Sequence, residues 1–144
     1  MKRIGKLLPL LLVCVLLLSG CGMLKEAVQE ADELPVKEYI NAVSSGDTET
    51  VREMTHPSVA GKVRFKQNVD MLCTYLDGRT AVAVRHGAVS LNNNTSAGAG
   101  KVRTLRVEYT VTLSDGTGLP VTVVYTNDRD GEGFSALLMQ LGIS

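Results

Sequence analysis

Tryptophan is absent from this 144-residue chain, aromatic residues make up only 4% of it, and neither sign of charge is in excess. Fifteen Lys and Arg residues balance fifteen Asp and Glu residues, so the formal net charge is zero. A nucleic-acid-binding domain would carry a large positive excess, and we therefore expect no nucleic-acid partner. The 44% of hydrophobic residues argues against a disordered chain, and the length suits a single domain.

Sequence patterns for a metal ion or a phosphate group are also missing. No Cys and His residues stand at a zinc spacing, and no glycine-rich loop opens a helix. Asp128, Asp130 and Glu132 superficially suggest a calcium loop, but Thr126 occupies the first ligand position and the final bidentate Glu is lacking. We expect a hairpin turn at these acidic residues, and neither a metal nor a cofactor.

The amino terminus has the layout of an export signal. The basic residues Lys2, Arg3 and Lys6 precede the uncharged run Leu7–Leu18. A helix of these twelve residues would extend about 18 Å, well short of the roughly 30 Å hydrocarbon core of a bilayer. Pro9 would weaken that helix further. The run therefore favours a cleaved signal over a permanent membrane-spanning helix.

The residues behind this run, Leu18-Ser19-Gly20-Cys21, resemble the lipobox of bacterial lipoproteins. The pattern of that family is an aliphatic residue, a small residue, Gly or Ala, and then Cys, and all four positions match. The resemblance implies cleavage between Gly20 and Cys21 and attachment of a diacylglyceryl group to the Cys21 sulfur. Two acyl chains hold a protein at a membrane that it does not span. A secretory signal that ends near a cysteine by coincidence is the alternative.

Cleavage before Cys21 changes both the charge and the cysteine content. Twelve basic residues then face fifteen acidic ones, a net charge of −3, so the acyl chains must supply the anchoring. Cys14 leaves with the signal and Cys21 is acylated, which leaves Cys73 without an intramolecular partner. Cys73 shares an apolar helical stripe with Val69 and Leu76, so we expect a core residue there rather than a nucleophile.

The chain divides into three parts. Residues 1–20 form the signal, residues 21–34 form the lipidated amino terminus with a polar spacer, and residues 35–144 form one folded domain. Apolar residues at a period of 3.6 predict a helix from Pro35 to Ser45, a second short helix that Asp47 caps, and a third over roughly residues 62–76.

From residue 80 onward the apolar period changes to two. It predicts four strands separated by turns, with a bulge at Gly87 and a loop over residues 92–100. The predicted strands cover residues 80–91, 102–113, 119–126 and 134–141. Helices followed by a meander of four strands predict an α+β fold.

Residues 36–54 resemble the opening of NTF2-like, or cystatin-like α+β, domains. These domains begin with a helix of the form aromatic-x-x-Ala-hydrophobic, then a small-Gly-Asp corner, then a second helix that ends near a proline. The places are occupied here by Tyr39, Ala42, Gly46, Asp47 and Pro57. The resemblance implies helices packed on a curved four-stranded antiparallel sheet, whose cone-shaped mouth can hold a small molecule. The usual Trp of the last strand is absent, and Phe134 is its nearest substitute.

The candidates for a pocket within this fold centre on His86. It stands in phase with the apolar residues of the first strand, Val82, Val84 and Ala88. If that face is turned inward, four side chains are candidates for the pocket lining: His86, Tyr39, Tyr109 and Asp70. A histidine whose bonds are satisfied at the edge of the core is the favoured alternative. His56 stands at a helix exit, where a surface or capping role is expected.

Three functions follow from these patterns. The favoured one is a non-catalytic lipoprotein, anchored at the extracytoplasmic face of the cell membrane, whose domain binds a small ligand or a cell-envelope partner. The second is an isomerase or hydrolase that uses His86 with Asp70. The third is a structural or assembly factor that forms a homodimer through its sheet. An enzyme is disfavoured because no pair of carboxylates stands at a spacing that demands acid–base chemistry.

Overall fold

The structure, a computed structural model, describes residues 24–98 and 100–139. The predicted signal, the lipidation position Cys21 and the cleavage point after Gly20 lie outside the described residues, as do residues 140 and 141 of the predicted last strand. Within the described part of the chain, no helix is both long enough and apolar enough to cross a membrane.

Helices come first in the described chain and strands follow. The helices are α1 over residues 24–33, α2 (Val36–Ser44), α3 (Thr48–Met54), α4 (Pro57–Ala60) and α5 (Phe65–Leu76). The strands are β1 (Ala81–Ser96), β2 (Gly100–Leu113), β3 (Gly118–Asp128) and β4 (Gly131–Met139). Each strand pairs antiparallel with the next, so the order is β1-β2-β3-β4 and the sheet is not closed. The predicted α+β architecture is confirmed.

The hydrophobic core lies between the helices and one face of the sheet. The alternation in β2 turns one set of side chains inward, because successive residues of a strand face opposite sides: Leu105, Val107, Tyr109, Val111 and Leu113. α2 buries Val36, Ile40 and Val43 against this face, at the helical spacing that the sequence predicts. Full burial of one such side chain stabilises the fold by about 1.5–3 kcal/mol.

The first hairpin is longer than the sequence predicts. Residues 92–95 pair with residues 101–104, so the predicted loop over residues 92–100 is wrong and only residues 97–99 connect the two strands. The pairing is made by main-chain groups, and polar side chains on both faces do not prevent it. The Asn- and Thr-rich composition of residues 92–95 therefore predicted a loop where the structure has paired strands.

Two irregularities in β1 change which side chains face the core. The register shifts between Ala81 and Ala83 and again between His86 and Val89, and the second shift confirms the predicted bulge at Gly87. Each bulge moves the following residues to the other face of the sheet. Val82 is the unpaired residue of the first irregularity and is 51% exposed, and Ala88 lies within the second and is exposed as well. The prediction that Val82 and Ala88 share the inward phase of His86 is therefore wrong.

α1 packs directly on the sheet. The sequence assigns residues 21–34 to a polar spacer, but Ala27 and Ala31 in this segment are buried in the core. Both side chains are single methyl groups, so the helix backbone can approach the strands closely. Residues 24–33 therefore belong to the same packed body as the other described residues, 34–98 and 100–139.

Candidate functional site

Three surface grooves border α1 where it lies on the sheet. The first, which we call the Arg103 groove, has a volume of about 260 Å³ and lies between α1 and strands β2 and β3. Its apolar wall includes Leu105 and Tyr125, and its charged rim includes Arg103 and Glu132. A second groove of about 530 Å³ runs along the β1–β2 hairpin, and a third of about 490 Å³ lies between the α1–α2 junction and β1.

Polar contacts hold α1 in place between these grooves. The Arg103 guanidinium forms an ion pair with Glu30 and lies 3.7 Å from a carboxylate oxygen of Glu26. Further along the helix, the Tyr109 hydroxyl donates a hydrogen bond to the Ala31 carbonyl oxygen over 2.7 Å. Burial raises the pKa of the Tyr109 phenol well above its ordinary value, and the nearby Asp32 carboxylate raises it further. Tyr109 is therefore a neutral donor at physiological pH.

His86 and Tyr109 do come together, as the sequence predicts for two of the candidate residues. They are directly opposite in the β1–β2 register, and both line the third groove. The His86 Nε2 atom lies 3.0 Å from the Asp32 carboxylate. Asp32 is 62% exposed at its side chain, so solvent screens this pair.

Asp70 does not reach His86, and the predicted pairing of these two residues is wrong. The Asp70 carboxylate lies on the outer side of α5, 59% exposed, and is 3.3 Å from the ammonium group of Lys66. This is an i,i+4 pair along one helix, a local contact that forms without help from the rest of the fold. The carboxylate beside His86 comes instead from α1.

Tyr39 also lies apart from His86. Its ring packs 4.7 Å from the Phe134 ring, centroid to centroid, and its hydroxyl is 3.1 Å from the Thr55 hydroxyl. Thr55 donates its own hydrogen to the Val51 carbonyl oxygen over 2.6 Å, so Tyr39 is the donor in the bond between them. Burial raises the pKa of the Tyr39 phenol. These contacts make Tyr39 a core residue, at the edge of an apolar groove between α5 and β4.

His56 is a capping residue, as expected, but it is not at the surface. It is only 1% exposed, and its Nδ1 atom accepts a hydrogen bond from the Ser58 backbone N–H, which caps α4. With Nδ1 accepting, the hydrogen sits on Nε2, which donates to Asp128 over 3.1 Å.

Ser58, His56 and Asp128 form a hydrogen-bonded chain with the composition of a Ser-His-Asp triad, but its histidine is buried and also caps α4. The Ser58 hydroxyl is 2.7 Å from His56 Nδ1, but the backbone N–H of the same serine already uses that nitrogen. A general base needs a free lone pair to accept the proton of a nucleophile. The group is therefore structural, and it ties the α3–α4 corner to the end of β3.

Other chemistry is sparse in the described residues. Within residues 24–98 and 100–139, no three His, Cys, Asp or Glu residues are grouped so that they could hold a metal ion. The Cys73 thiol is half-buried and donates to the Ser44 carbonyl oxygen over 3.6 Å. A thiol held against a backbone oxygen fits the expected core position better than a nucleophile.

Sequence reasoning missed the part that α1 plays. Asp32 beside His86 and Glu30 beside Arg103 come from a segment assigned to a spacer. The signal that could have found them is the spacing of Ala27, Ala31 and Leu34 at i, i+4 and i+7. Comparison of the chain with protein-family models, curated proteins and solved structures finds no match.

Proposed function

We propose that this chain is a bacterial lipoprotein, held by lipid on Cys21 at the extracytoplasmic face of the cell membrane, whose NTF2-like domain binds a small ligand or an envelope partner without catalysis. The observation that carries the anchoring is the four-residue lipobox, Leu18 to Cys21, directly behind the apolar run Leu7–Leu18. Each position of the pattern is filled by a residue type that the family uses.

The NTF2-like assignment is supported at the residues that suggested it. Gly46 has a φ of +71° at the corner between α2 and α3, and Asp47 then caps α3 by accepting from the Thr50 backbone N–H. The aromatic residue of the first family helix, Tyr39, contacts Phe134, the substitute for the family's last-strand Trp. These contacts connect the two ends of the proposed family pattern across the core.

Binding rather than catalysis is supported by the composition of the Arg103 groove. Ligand sites are concave and largely apolar, with a few polar groups that fix the orientation of the ligand. The lining of this groove is mixed: Leu34, Leu105 and Tyr125 supply apolar surface, while Arg103, Asn127 and the carboxylates of Glu30, Glu33 and Glu132 supply polar groups that could orient a ligand. A volume of about 260 Å³ suits a small ligand or one side chain of a partner.

A catalytic role is less well supported. His86 has a carboxylate partner, but Asp32 is largely exposed, and exposure weakens the electrostatic effects on which general acid–base catalysis relies. The buried histidine, His56, is occupied as a cap. The proposal therefore assigns neither histidine to a reaction.

Metabolic labelling tests the anchor. The full chain is expressed in a bacterium with labelled palmitate, as wild type and as the variants Cys21→Ser and Cys14→Ser. We expect label in the wild type and in Cys14→Ser, and none in Cys21→Ser, because only the Cys21 sulfur is the proposed acceptor. Label that persists in Cys21→Ser, or its absence from the wild type, would refute the proposal.

Native mass spectrometry tests the binding role. The acylated protein is released from its membranes in detergent and examined for bound species, beside the variants Asn127→Trp and Thr110→Trp. Asn127 lines the Arg103 groove and the adjoining groove along the β1–β2 hairpin, whereas Thr110 is exposed on the opposite face of β2. We expect a bound species in the wild type and in Thr110→Trp, and its loss when Trp fills the groove. A species retained in Asn127→Trp, or no species in any form, contradicts a binding role for this groove.

A further inference from the structure

The direction of α1 fixes which end of the domain meets the anchor. Glu26, in the first turn of α1, lies 3.7 Å from Arg103 near the start of β2 and lines the groove along the hairpin, whereas Ala31 and Asp32, in its last turn, contact Tyr109 and His86 farther from the hairpin. α1 therefore runs from the β1–β2 hairpin toward the middle of the sheet. We call the described residues between 91 and 103, together with the start of α1, the hairpin end of the domain.

The chain between the proposed anchor and α1 is short. Cys21 is three residues before residue 24, the first described residue of α1, and three residues of extended chain reach at most about 11 Å. β2 has 14 residues and spans roughly 45 Å from the hairpin end to the β2–β3 turn at residues 114–117. A lipid on Cys21 is thus attached close to the hairpin end and far from that turn.

The surface of the hairpin end suits the headgroup layer of a bilayer. Residues 91–103 include no acidic residue and two basic residues, Lys101 and Arg103, and the exposed side chains from Asn92 to Ser96 are amides and hydroxyls. Such groups exchange hydrogen bonds readily with lipid phosphates and carbonyls. Leu24, at the described start of α1, is 60% exposed.

Two carboxylates near this surface lie beside basic groups. Glu26 lies 3.7 Å from Arg103, and Asp130 in the β3–β4 turn lies 3.7 Å from Arg129. The Arg129 guanidinium also donates to the Gly98 carbonyl oxygen at the tip of the hairpin, over 3.1 Å. Repulsion between these carboxylates and an anionic leaflet is reduced by the paired cations.

We propose that the hairpin end lies against the bilayer headgroups and that the β2–β3 turn is directed away from the membrane. This orientation rests on the proposed function, because it needs a lipid on Cys21. It places the groove along the hairpin at headgroup level, and it leaves the far end of the sheet free for contact with other molecules.

Fluorescence quenching on vesicles tests the orientation. Full-length acylated protein carrying Cys73→Ala is labelled with a fluorophore at Thr95→Cys or at Thr117→Cys. Both positions are exposed, at opposite ends of β2 and its hairpins. The protein is placed on vesicles of phosphatidylethanolamine and phosphatidylglycerol that carry a nitroxide on the lipid headgroup. We expect quenching at position 95 that is several-fold stronger than at position 117.

The same samples separate the two proposals. Palmitate labelling and sedimentation with vesicles are measured first, and their failure refutes the anchor itself. Protein that is acylated and sediments, yet is quenched equally at both positions or more strongly at 117, refutes the orientation alone. If the label at position 95 disturbs the strand, a fluorophore at Asn94→Cys measures quenching at the hairpin end instead. Weak quenching at position 94 would then refute the orientation.

Discussion

The Tyr109 hydroxyl donates a hydrogen bond to the Ala31 carbonyl oxygen over 2.7 Å and so joins the end of α1 to the centre of the sheet. The last carbonyl groups of a helix have no partner within the helix. Ala31 is in the last turn of α1 and is buried, so water cannot easily replace the phenol. This bond satisfies a group that would otherwise be costly to bury.

The substitution Tyr109→Phe is expected to destabilise the fold by about 1–3 kcal/mol, because it leaves the buried Ala31 carbonyl oxygen without its donor. Urea unfolding of a form covering residues 22–144 measures the free energy of unfolding. Tyr125→Phe is the matched control, since the Tyr125 hydroxyl has no hydrogen-bond partner among the described side chains while its ring also packs in the core. Equal losses in the two variants would show that the bond to Ala31 contributes nothing.

Stability should also fall at alkaline pH, and Tyr109 should account for part of the fall. Burial, and then Asp32, raise the pKa of the Tyr109 phenol above its ordinary value of 10.0. The unfolded chain therefore loses this proton at a lower pH than the folded protein does. The contribution of Tyr109 is complete below pH 10.0 and is lost as the pH rises from there toward the folded pKa.

The measurement is urea unfolding of the wild type and Tyr109→Phe between pH 8 and pH 11. The wild type should lose stability more steeply above pH 10.0 than the variant. The variant should still lose some stability as the pH rises, because the pKa values of Tyr39 and Tyr125 are raised by burial as well. Parallel curves for the two proteins would contradict the role of Tyr109.

The architecture could be predicted from the sequence because its periodicities are clear. Two patterns each predict one buried face: the alternation from Leu105 to Leu113, and the helical spacing of Val36, Ile40 and Val43. The structure confirms that these side chains are buried. The β1–β2 loop was predicted wrongly because Asn and Thr residues mark turns by composition, whereas strand pairing depends on main-chain hydrogen bonds.

The site was harder to predict than the fold. His86 meets Tyr109 because the two are cross-strand neighbours, which a register can suggest. Its carboxylate partner, Asp32, is 54 residues away in the chain and reaches His86 only because α1 folds onto the sheet. The same is true of His56 and Asp128, where a local cap signal gave no indication of burial or of a partner on β3. Long-range pairing of polar groups leaves no periodic trace in a sequence.

Acidification should weaken the fold through Asp128. Hydrogen bonding by the Asp130 backbone N–H and then by His56 lowers the pKa of the Asp128 carboxyl below its ordinary value of 3.8. A lowered folded pKa gives stability that is present above pH 3.8 and is lost as the pH falls through the folded value. Asp128→Asn should therefore be less stable than the wild type at pH 6 and should lose less stability between pH 5 and pH 2.

Asp130→Asn is the control for this comparison, because its carboxylate is exposed beside Arg129 and makes no contact with His56. The free energy of unfolding of Asp130→Asn should fall between pH 5 and pH 2 as steeply as that of the wild type. All three proteins should still lose some stability at low pH, since the pKa values of Asp47 and Asp115 are also lowered by hydrogen bonds. If Asp128→Asn and Asp130→Asn give the same curve, the hydrogen bonds that the Asp128 carboxylate accepts from the Asp130 backbone N–H and from His56 do not stabilise this corner.

Gly133→Ala should be the most damaging single-methyl change in the sheet. A Cβ atom at Gly133 would lie 2.6 Å from the His56 backbone nitrogen and 2.7 Å from the Thr55 carbonyl carbon, where Phe134 of β4 bridges Thr55. Backbone atoms cannot move aside without breaking that bridge, so we expect a loss of more than about 3 kcal/mol or failure to fold. Gly118→Ala is the control, because a Cβ there meets no atom within 4 Å, and its stability should change by no more than about 0.5 kcal/mol. Thermal unfolding followed by circular dichroism measures both, and similar midpoints for the two variants would contradict the close approach of β4 to the α3–α4 corner.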